Sequence, residues 1–271
     1  MPELPEVEVV RQTLNQNLSG LTITRIECFY PSIIDDMEDF ISKVVHHKIV
    51  SVDRYAKYLI FILDEGAFLS HLRMEGKYFY VDKDYEIVKH QHVIFYLDNG
   101  YRLIYQDVRK FGRMTYKAKE MLFQTPPLSL LGPEANDSTI DVDALYEKLR
   151  KKSLPIKTVL LDQSFISGLG NIYADEVLYE AKISPLRIAK QIKKEELQSI
   201  LVAANHILTN AIYQKGTTIR SYTSSLGVKG EYQKYLAVHT KSCCLQCQQS
   251  LTIIKIGGRS SYYCKNCQRE S

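Results

Sequence analysis

The sequence predicts an α+β protein in three parts. Residues 1–130 read as an N-terminal helix packed on an antiparallel β-sandwich, residues 131–225 as a helical domain, and residues 226–271 as a linker ending in a β-hairpin. Three observations predict this. Apolar residues recur at helical spacing near the start and then give way to short β-rich runs. Helical spacing returns over residues 141–215. Five of the six cysteines crowd into the last 29 residues, around a Gly-Gly turn. At 271 residues the chain also exceeds what one hydrophobic core comfortably covers.

The first helix is expected over Pro5 to Leu18, where Val7, Val10, Leu14 and Leu18 share a face, Pro5 suits the first turn and Gly20 is a stop. Seven β-rich runs follow: Thr22–Phe29, Ile49–Arg54, Tyr58–Leu63, Ala67–Leu72, Lys77–Val81, Val93–Leu97 and Tyr101–Tyr105. Turn signals such as Asp64-Glu65-Gly66 and Asp98-Asn99-Gly100 separate them, which favours antiparallel neighbours. A Pro- and Gly-containing linker spans residues 124–133, and helices are expected over 141–151, 155–162, 171–181 and 194–214. Composition is that of a folded protein, 45% hydrophobic and 24% charged with 19 Tyr and no Trp. No apolar run approaches the ~20 residues of a membrane span, and the start lacks a secretory signal, so a cytoplasmic protein is expected.

Charge is uneven. From Lys215 onward nine basic residues face two acidic ones, a local +7 in a chain of net +4, which suits one face to a polyanion. The cysteines sharpen this. Cys244/Cys247 and Cys264/Cys267 form two Cys-x-x-Cys pairs separated by residues 248–263, a spacing that lets four thiolates enclose one structural Zn²⁺ per chain. A Cys243-x-x-x-Cys247 knuckle is sterically possible as well; the matched spacing favours Cys244. Between the pairs, two β-rich runs flank Gly257-Gly258, leaving Arg259 at the hairpin tip. Cys28 reads as a small buried hydrophobe.

Two further features point to chemistry. Gly168-Leu169-Gly170-Asn171 opens a helix and would turn bare N–H groups toward an anion. With the basic hairpin it offers two contacts to a duplex backbone. At the other end, a small residue follows Met1, so removal of Met1 is expected to expose Pro2 as a secondary amine. With a pKa near ~8, part of it is neutral and nucleophilic at pH 7. Glu3 beside it is a candidate proton donor to a leaving group.

These residues sit in motifs that resemble the formamidopyrimidine-DNA glycosylase family along the whole chain. They are Met1-Pro2-Glu3-Leu4-Pro5-Glu6-Val7-Glu8, Ala56-Lys57-Tyr58-Leu59, His71-Leu72-Arg73-Met74-Glu75-Gly76 and Lys89-His90-Gln91-His92-Val93. Asp107-Val108-Arg109-Lys110-Phe111-Gly112, Gly168 to Glu176 and the four-cysteine hairpin complete the series. The resemblance implies a base-excision repair enzyme, a DNA glycosylase with abasic-site lyase activity. Such an enzyme flips 8-oxoguanine and formamidopyrimidines out of duplex DNA, excises them through a Schiff base on Pro2 and cuts the strand by β,δ-elimination. It implies that the helical domain is a helix-two-turn-helix DNA-binding domain and the C-terminal unit a zinc finger of that family. By the same resemblance Glu3 is the general acid–base, Lys57 a proton donor and phosphate contact, and Arg259 the holder of the phosphate beside the lesion. His71, His90, Lys157, Asn171 and Tyr173 fall among the DNA contacts. Met74, Arg109 and Phe111 correspond to the trio that fills the hole left by the flipped base, and the Thr217–Ser225 loop to a cover over that base.

Two departures stand out. The link from Val238 to Cys244 looks about two residues short, and Ser153 stands where relatives carry a basic residue, shifting that contact to Lys152. The expected partner is damaged double-stranded DNA, bound by a monomer. The alternatives are an endonuclease VIII-like glycosylase for oxidised pyrimidines, against which Leu4, Met74 and Phe111 argue, and a non-catalytic nucleic-acid-binding protein sharing the helical motif, which leaves Pro2, Glu3 and Lys57 unexplained.

Overall fold

The computed structural model describes residues 1–217 and 230–269, and these form two compact units. One comprises Met1–Ser129 with Lys215–Gly230, the other Leu130–Gln214 with Glu231–Ser271.

The first unit opens with α1 (Leu4–Leu18), whose buried residues include Val7, Val10, Leu14 and Leu18, the face set by sequence spacing. Gly20 ends it at φ +90°, a conformation that costs glycine little. Then come β1 (Ile23–Cys28), α2 (Met37–Val44), β2 (Ile49–Tyr55), β3 (Tyr58–Leu63), β4 (Ala67–His71), β5 (Lys77–Val81), β6 (Gln91–Leu97), β7 (Arg102–Gln106) and β8 (Arg113–Lys117). They make two four-stranded antiparallel sheets, ordered β1-β6-β7-β5 and β2-β3-β4-β8. The sandwich core is aromatic. Phe68 on β4 stacks on Phe61 at 4.2 Å between centroids and on Phe95 of the opposite sheet at 5.5 Å. α1 is tied to the second sheet where the Val52 N–H donates to Asn15 Oδ1 at 2.8 Å.

Two elements went unanticipated. α2 carries Met37, Phe40, Ile41 and Val44 at helical spacing, but over only eight residues between β-rich runs, and Asp36 caps it by accepting from Asp39 N–H. β8 lies at the edge of its sheet, and its alternation of Met114 and Tyr116 with Arg113, Thr115 and Lys117 runs over only five residues and buries Met114 alone, with Tyr116 partly buried beside it. A third expectation is corrected. Strand alternation through Asp107-Val108-Arg109-Lys110-Phe111 would put Arg109 and Phe111 on one face, but residues 107–112 form a loop between β7 and β8, with Lys110 at φ +58°.

The second unit contains α3 (Val142–Leu149), α4 (Ile156–Leu160), α5 (Asn171–Glu180), α6 (Lys194–Tyr213) and the hairpin β9 (Thr252–Ile256) and β10 (Arg259–Tyr263). All four helices fall within two residues of their expected ends. α5 buries Tyr173, Ala174, Val177 and Leu178, and α6 buries Ile200, Ala204, Ile207, Leu208 and Ala211. Gly257 and Gly258 have φ +55° and +76°, the paired left-handed residues of a two-residue hairpin turn, and Arg259 opposite Ile256 emerges beside it, exposed. The link into the first cysteine pair is anchored. The Glu176 carboxylate accepts from the N–H groups of Ala237, Val238 and His239 at 2.7, 3.0 and 2.8 Å. Val238 joins Tyr179, Cys244 and Cys264 in a small buried cluster. Among the described residues no helix is long and apolar enough to cross a membrane.

Candidate functional site

In the first unit the chain start is held, not loose. Pro2 and Glu3 are buried, and the Glu3 N–H donates to Glu6 Oε2 at 2.9 Å, closing the first turn of α1 on its own N-terminus. The other Glu6 oxygen accepts from Thr217 N–H and Oγ1–H at 2.8 and 3.0 Å. Met1 lines an open cavity of about 440 Å³ together with Arg73, Met74, Arg109, Phe111 and Arg113. Three guanidiniums and two apolar side chains thus surround the amino terminus.

The loop that carries Arg109 and Phe111 is shaped by Asp107, a fully buried residue to which sequence reasoning gave no role. Its carboxylate accepts from the N–H groups of Arg109 (3.0 Å) and Gly112 (2.8 Å), and from the Tyr105 hydroxyl at 3.4 Å. Gly112 has no room for more, because a Cβ there would lie 1.8 Å from the Tyr105 hydroxyl oxygen. Outside this tight base the Arg109 guanidinium lies over the half-exposed Phe111 ring, 4.9 Å from its centroid. The pairing expected from strand alternation is therefore made by a turn.

Lys57 sits in the two-residue turn between β2 and β3, behind Ala56 at φ +53°, an uncommon conformation for a residue with a Cβ. It is largely buried, as is His71 at the end of β4. Burial, then the charges of Arg73 and Lys57, push the His71 pKa down to about 3. Its Nδ1 accepts from Arg73 N–H at 2.9 Å, so the neutral ring carries its hydrogen on Nε2 and can only donate from there. His90, at φ +72°, lies 6.4 Å from the His92 ring.

In the second unit Gly168 (φ +97°) turns the chain into α5, whose first turn contains no acidic residue. Asn171 Nδ2 donates to the carbonyl of Ser260 at 2.9 Å, next to Arg259. The start of α5 and the hairpin tip are thus one place. Lys152 is partly exposed and pairs with Asp162 at 3.3 Å. Two side chains expected on DNA are withdrawn instead. Tyr173 is fully buried, its ring 5.8 Å from that of Tyr232. Lys157 is also fully buried, and its ammonium donates to Asp175 Oδ1, Ser261 Oγ and the Ser260 carbonyl at 2.7, 2.7 and 3.2 Å. An ammonium so engaged has no face for a phosphate.

Cys244, Cys247, Cys264 and Cys267 place their sulfurs within 4.8 Å of one another, while Cys243 is exposed and outside the cluster, which decides between the two knuckles. The Cys244–Cys267 and Cys247–Cys264 sulfurs are 3.8 and 3.5 Å apart. A tetrahedral ion with metal–sulfur bonds of about 2.3 Å sets its sulfurs ~3.8 Å apart, so the four residues fit one. Burial pushes the Cys244 thiol up, but hydrogen bonds from Tyr179 and from the N–H groups of Cys247 and Gln246 outweigh it and hold it down at about 6. Cys264 and Cys267 shift the other way, raised first by burial, so binding a metal would have to draw protons from them. The Thr217–Ser225 loop lies, beyond Thr217, outside the described residues.

Comparison with known proteins agrees along the chain. Residues 1–114 match the formamidopyrimidine-DNA glycosylase N-terminal domain, and residues 131–223 the H2TH domain of the same family. The formamidopyrimidine-DNA glycosylase of Exiguobacterium sibiricum is 44% identical over 99% of both chains, and that of Lactobacillus johnsonii 43% over 99% of both. Among solved structures, a Lactococcus lactis Fpg variant in complex with Fapy-dG-containing DNA is similar with a TM-score of 0.93 and 36% identity, covering 99% of this chain and 100% of that one. The same organism's Fpg in complex with abasic-site DNA is similar with a TM-score of 0.92 and 36% identity over the same shares.

Proposed function

The chain belongs to the formamidopyrimidine-DNA glycosylase family, and from that premise we propose that it excises oxidised purines, 8-oxoguanine and formamidopyrimidines, from duplex DNA and then cuts the abasic strand. The observation that carries this reading is the cavity of the first unit, where the amino terminus meets Met74, Arg109 and Phe111. A nucleophilic amine and a set of wedges are useful together only to an enzyme that has taken a base out of the stack.

Removal of Met1 frees the Pro2 nitrogen, which attacks C1′ of the lesion nucleotide. A carbon–nitrogen bond forms there as the bond to the base breaks, and the base leaves with a proton. Glu3 protonates the ring oxygen, C1′–O4′ opens, and an iminium remains. The iminium acidifies the C2′ hydrogen; loss of that proton expels the 3′-side phosphate as C3′–O breaks. Loss of a C4′ proton then breaks C5′–O and releases the 5′-side phosphate. Lys57 supplies a proton and a phosphate contact beside His71, whose neutral ring donates from Nε2. Met74 and Phe111 occupy the vacated step and Arg109 addresses the widowed base. Arg259, with Asn171 at the start of α5 and Lys152, holds phosphates; His90 adds a further backbone contact. Lys157 and Tyr173 act from within the fold. One zinc ion, held by the four cysteines, would keep the hairpin folded. The protein would act as a cytoplasmic monomer, in the three parts expected from sequence.

The test is excision and borohydride trapping on duplexes carrying 8-oxoguanine, a formamidopyrimidine or an oxidised pyrimidine. Covalent trapping with preference for the two purine lesions supports the reading. Preference for the pyrimidine lesion would move the protein to an endonuclease VIII-like activity, and binding without trapping would remove catalysis altogether.

A further inference from the structure

We propose that the buried Lys157–Asp175 pair is a positioning device for Arg259, fixing the strand behind the hairpin tip and so governing the second strand cut. The inference rests on the reading of Arg259 as the holder of the lesion's phosphate.

Both side chains are fully buried, and their charged atoms lie 2.7 Å apart. Between them they grip three consecutive residues of β10. Lys157 donates to the Ser260 carbonyl and the Ser261 hydroxyl, and Asp175 Oδ2 accepts from Tyr262 N–H at 3.3 Å. The same Asp175 oxygen lies 2.8 Å from His239 Nδ1, which ties the chain entering the first cysteine pair to the same point. Asn171 holds the Ser260 carbonyl from the start of α5. Arg259 is the residue immediately before this gripped run.

Energetics argue that the pair is there for position. Burying an ammonium and a carboxylate costs several kcal/mol per ion, and apolar replacements of similar volume are often neutral or stabilising. An apolar pair could not, however, fix the rotation of β10 about its own axis. Directional bonds to an inward carbonyl, hydroxyl and N–H do so. Side chains alternate along a strand, so Ser261 and Arg259 share a face. Turning Ser261 inward therefore sets the direction from which Arg259 leaves the tip. A two-stranded hairpin is at best marginally stable alone, and a metal at the four cysteines would hold only its far end, at Cys264 and Cys267. The tip needs a separate constraint.

The experiment uses full-length, zinc-loaded protein on a duplex with a preformed abasic site, comparing Lys157→Met, Asp175→Asn, their double variant, and Arg259→Ala. It reads the ratio of singly to doubly eliminated ends, kcat and KM, bound zinc and Tm. Each single variant strands a buried charge and should lose stability. The double variant removes both charges and should recover Tm and keep its zinc, its trapping and its first cut. Its second cut should nonetheless fall on the order of tenfold or more, because small misplacements of a positioned group have effects of that size, and KM for the duplex should rise. Ser261→Ala, which disturbs neither charge, should shift the product ratio in the same direction by less. A double variant whose second cut returns in step with Tm would overturn the inference, as would an unchanged product ratio in Ser261→Ala should the double variant fail to fold. If Arg259→Ala loses the second cut while the double variant keeps it, only the positioning role falls. If Arg259→Ala keeps it, the reading of Arg259 falls first and this inference with it.

Discussion

The two units solve the problem of presenting a charged tip in opposite ways. In the first, Arg109 stands on a loop whose base is tied by one buried carboxylate, Asp107, through backbone N–H groups. In the second, Arg259 stands on a hairpin whose base is held by a buried ion pair on one side and a four-cysteine cluster on the other. The first device is mainly local: the carboxylate's hydrogen bonds span five residues or fewer, and only the Asp107 backbone reaches further, to His90 and His92. The second is assembled from α4, α5 and β10, with bonds reaching across about a hundred positions. Local ties hold the base of a loop and leave its tip free to adjust. Long-range ties make a rigid grip, as a phosphate with fixed geometry requires.

The most severe break of this contrast lies ahead of both loops. A retained N-terminal extension should abolish trapping, and Pro2→Gly should lose most of it, while DNA binding persists; trapping yields against binding affinity check this. Next, chelation or Cys247→Ser should unfold the hairpin, because metal binding supplies most of the folding energy of such small units, ~10 kcal/mol or more in isolated fingers. Lesion-duplex affinity should collapse while the β-sandwich signal in circular dichroism stays. Undiminished affinity after chelation would refute the rigid-grip account.

Smaller effects should separate the parts of the adaptable loop. Asp107→Asn loses an acceptor for a buried N–H and should cost about 1–3 kcal/mol of stability, read by denaturant unfolding, with Arg109 function lost in parallel. Arg109→Ala should narrow a cytosine-over-adenine preference by about tenfold or more, since one good bidentate base contact is worth ~1–3 kcal/mol. Phe111→Ala should weaken lesion binding whichever base lies opposite. Excision of 8-oxoguanine opposite each base, with abasic DNA as control, distinguishes the two. A separate effect concerns acidity and vanishes near neutral pH. The pKa of His71 is lowered in the folded state, so the unfolded chain binds the extra proton first. Its contribution should hold above the ordinary value near pH 6.5 and be lost toward pH 3 at up to about 1.4 kcal/mol per pH unit. A His71→Gln protein should show a flatter acid limb in urea unfolding between those limits.

Much of this was legible because its signals are short-range. The α1 face, the Gly257-Gly258 turn and the paired cysteines each declare themselves within a few residues. Resemblance assigned roles to Pro2, Glu3 and Arg259 that the residue types alone leave open. What stayed hidden depends on distant partners. Lysine is almost never fully buried unless paired, so a lone Lys157 reads as a surface cation until Asp175 and Ser261 are seen beside it. Asp107 lay inside a quoted motif without a role, because nothing in sequence says that its carboxylate faces its own loop's N–H groups. α2 and β8 carry the right periodicities, but over only eight and five residues, too short to outweigh the patterns around them.

The claim on which the rest depends is that the chain's own amino terminus forms the covalent bond to DNA. Borohydride trapping on 8-oxoguanine duplex, followed by digestion and mass spectrometry of the adduct, addresses it directly. The account predicts one adduct on the peptide that begins at Pro2, with Met1 absent and the deoxyribose remnant on the terminal nitrogen. An adduct on Lys57 or any other lysine, or trapping by protein that retains Met1, would contradict it.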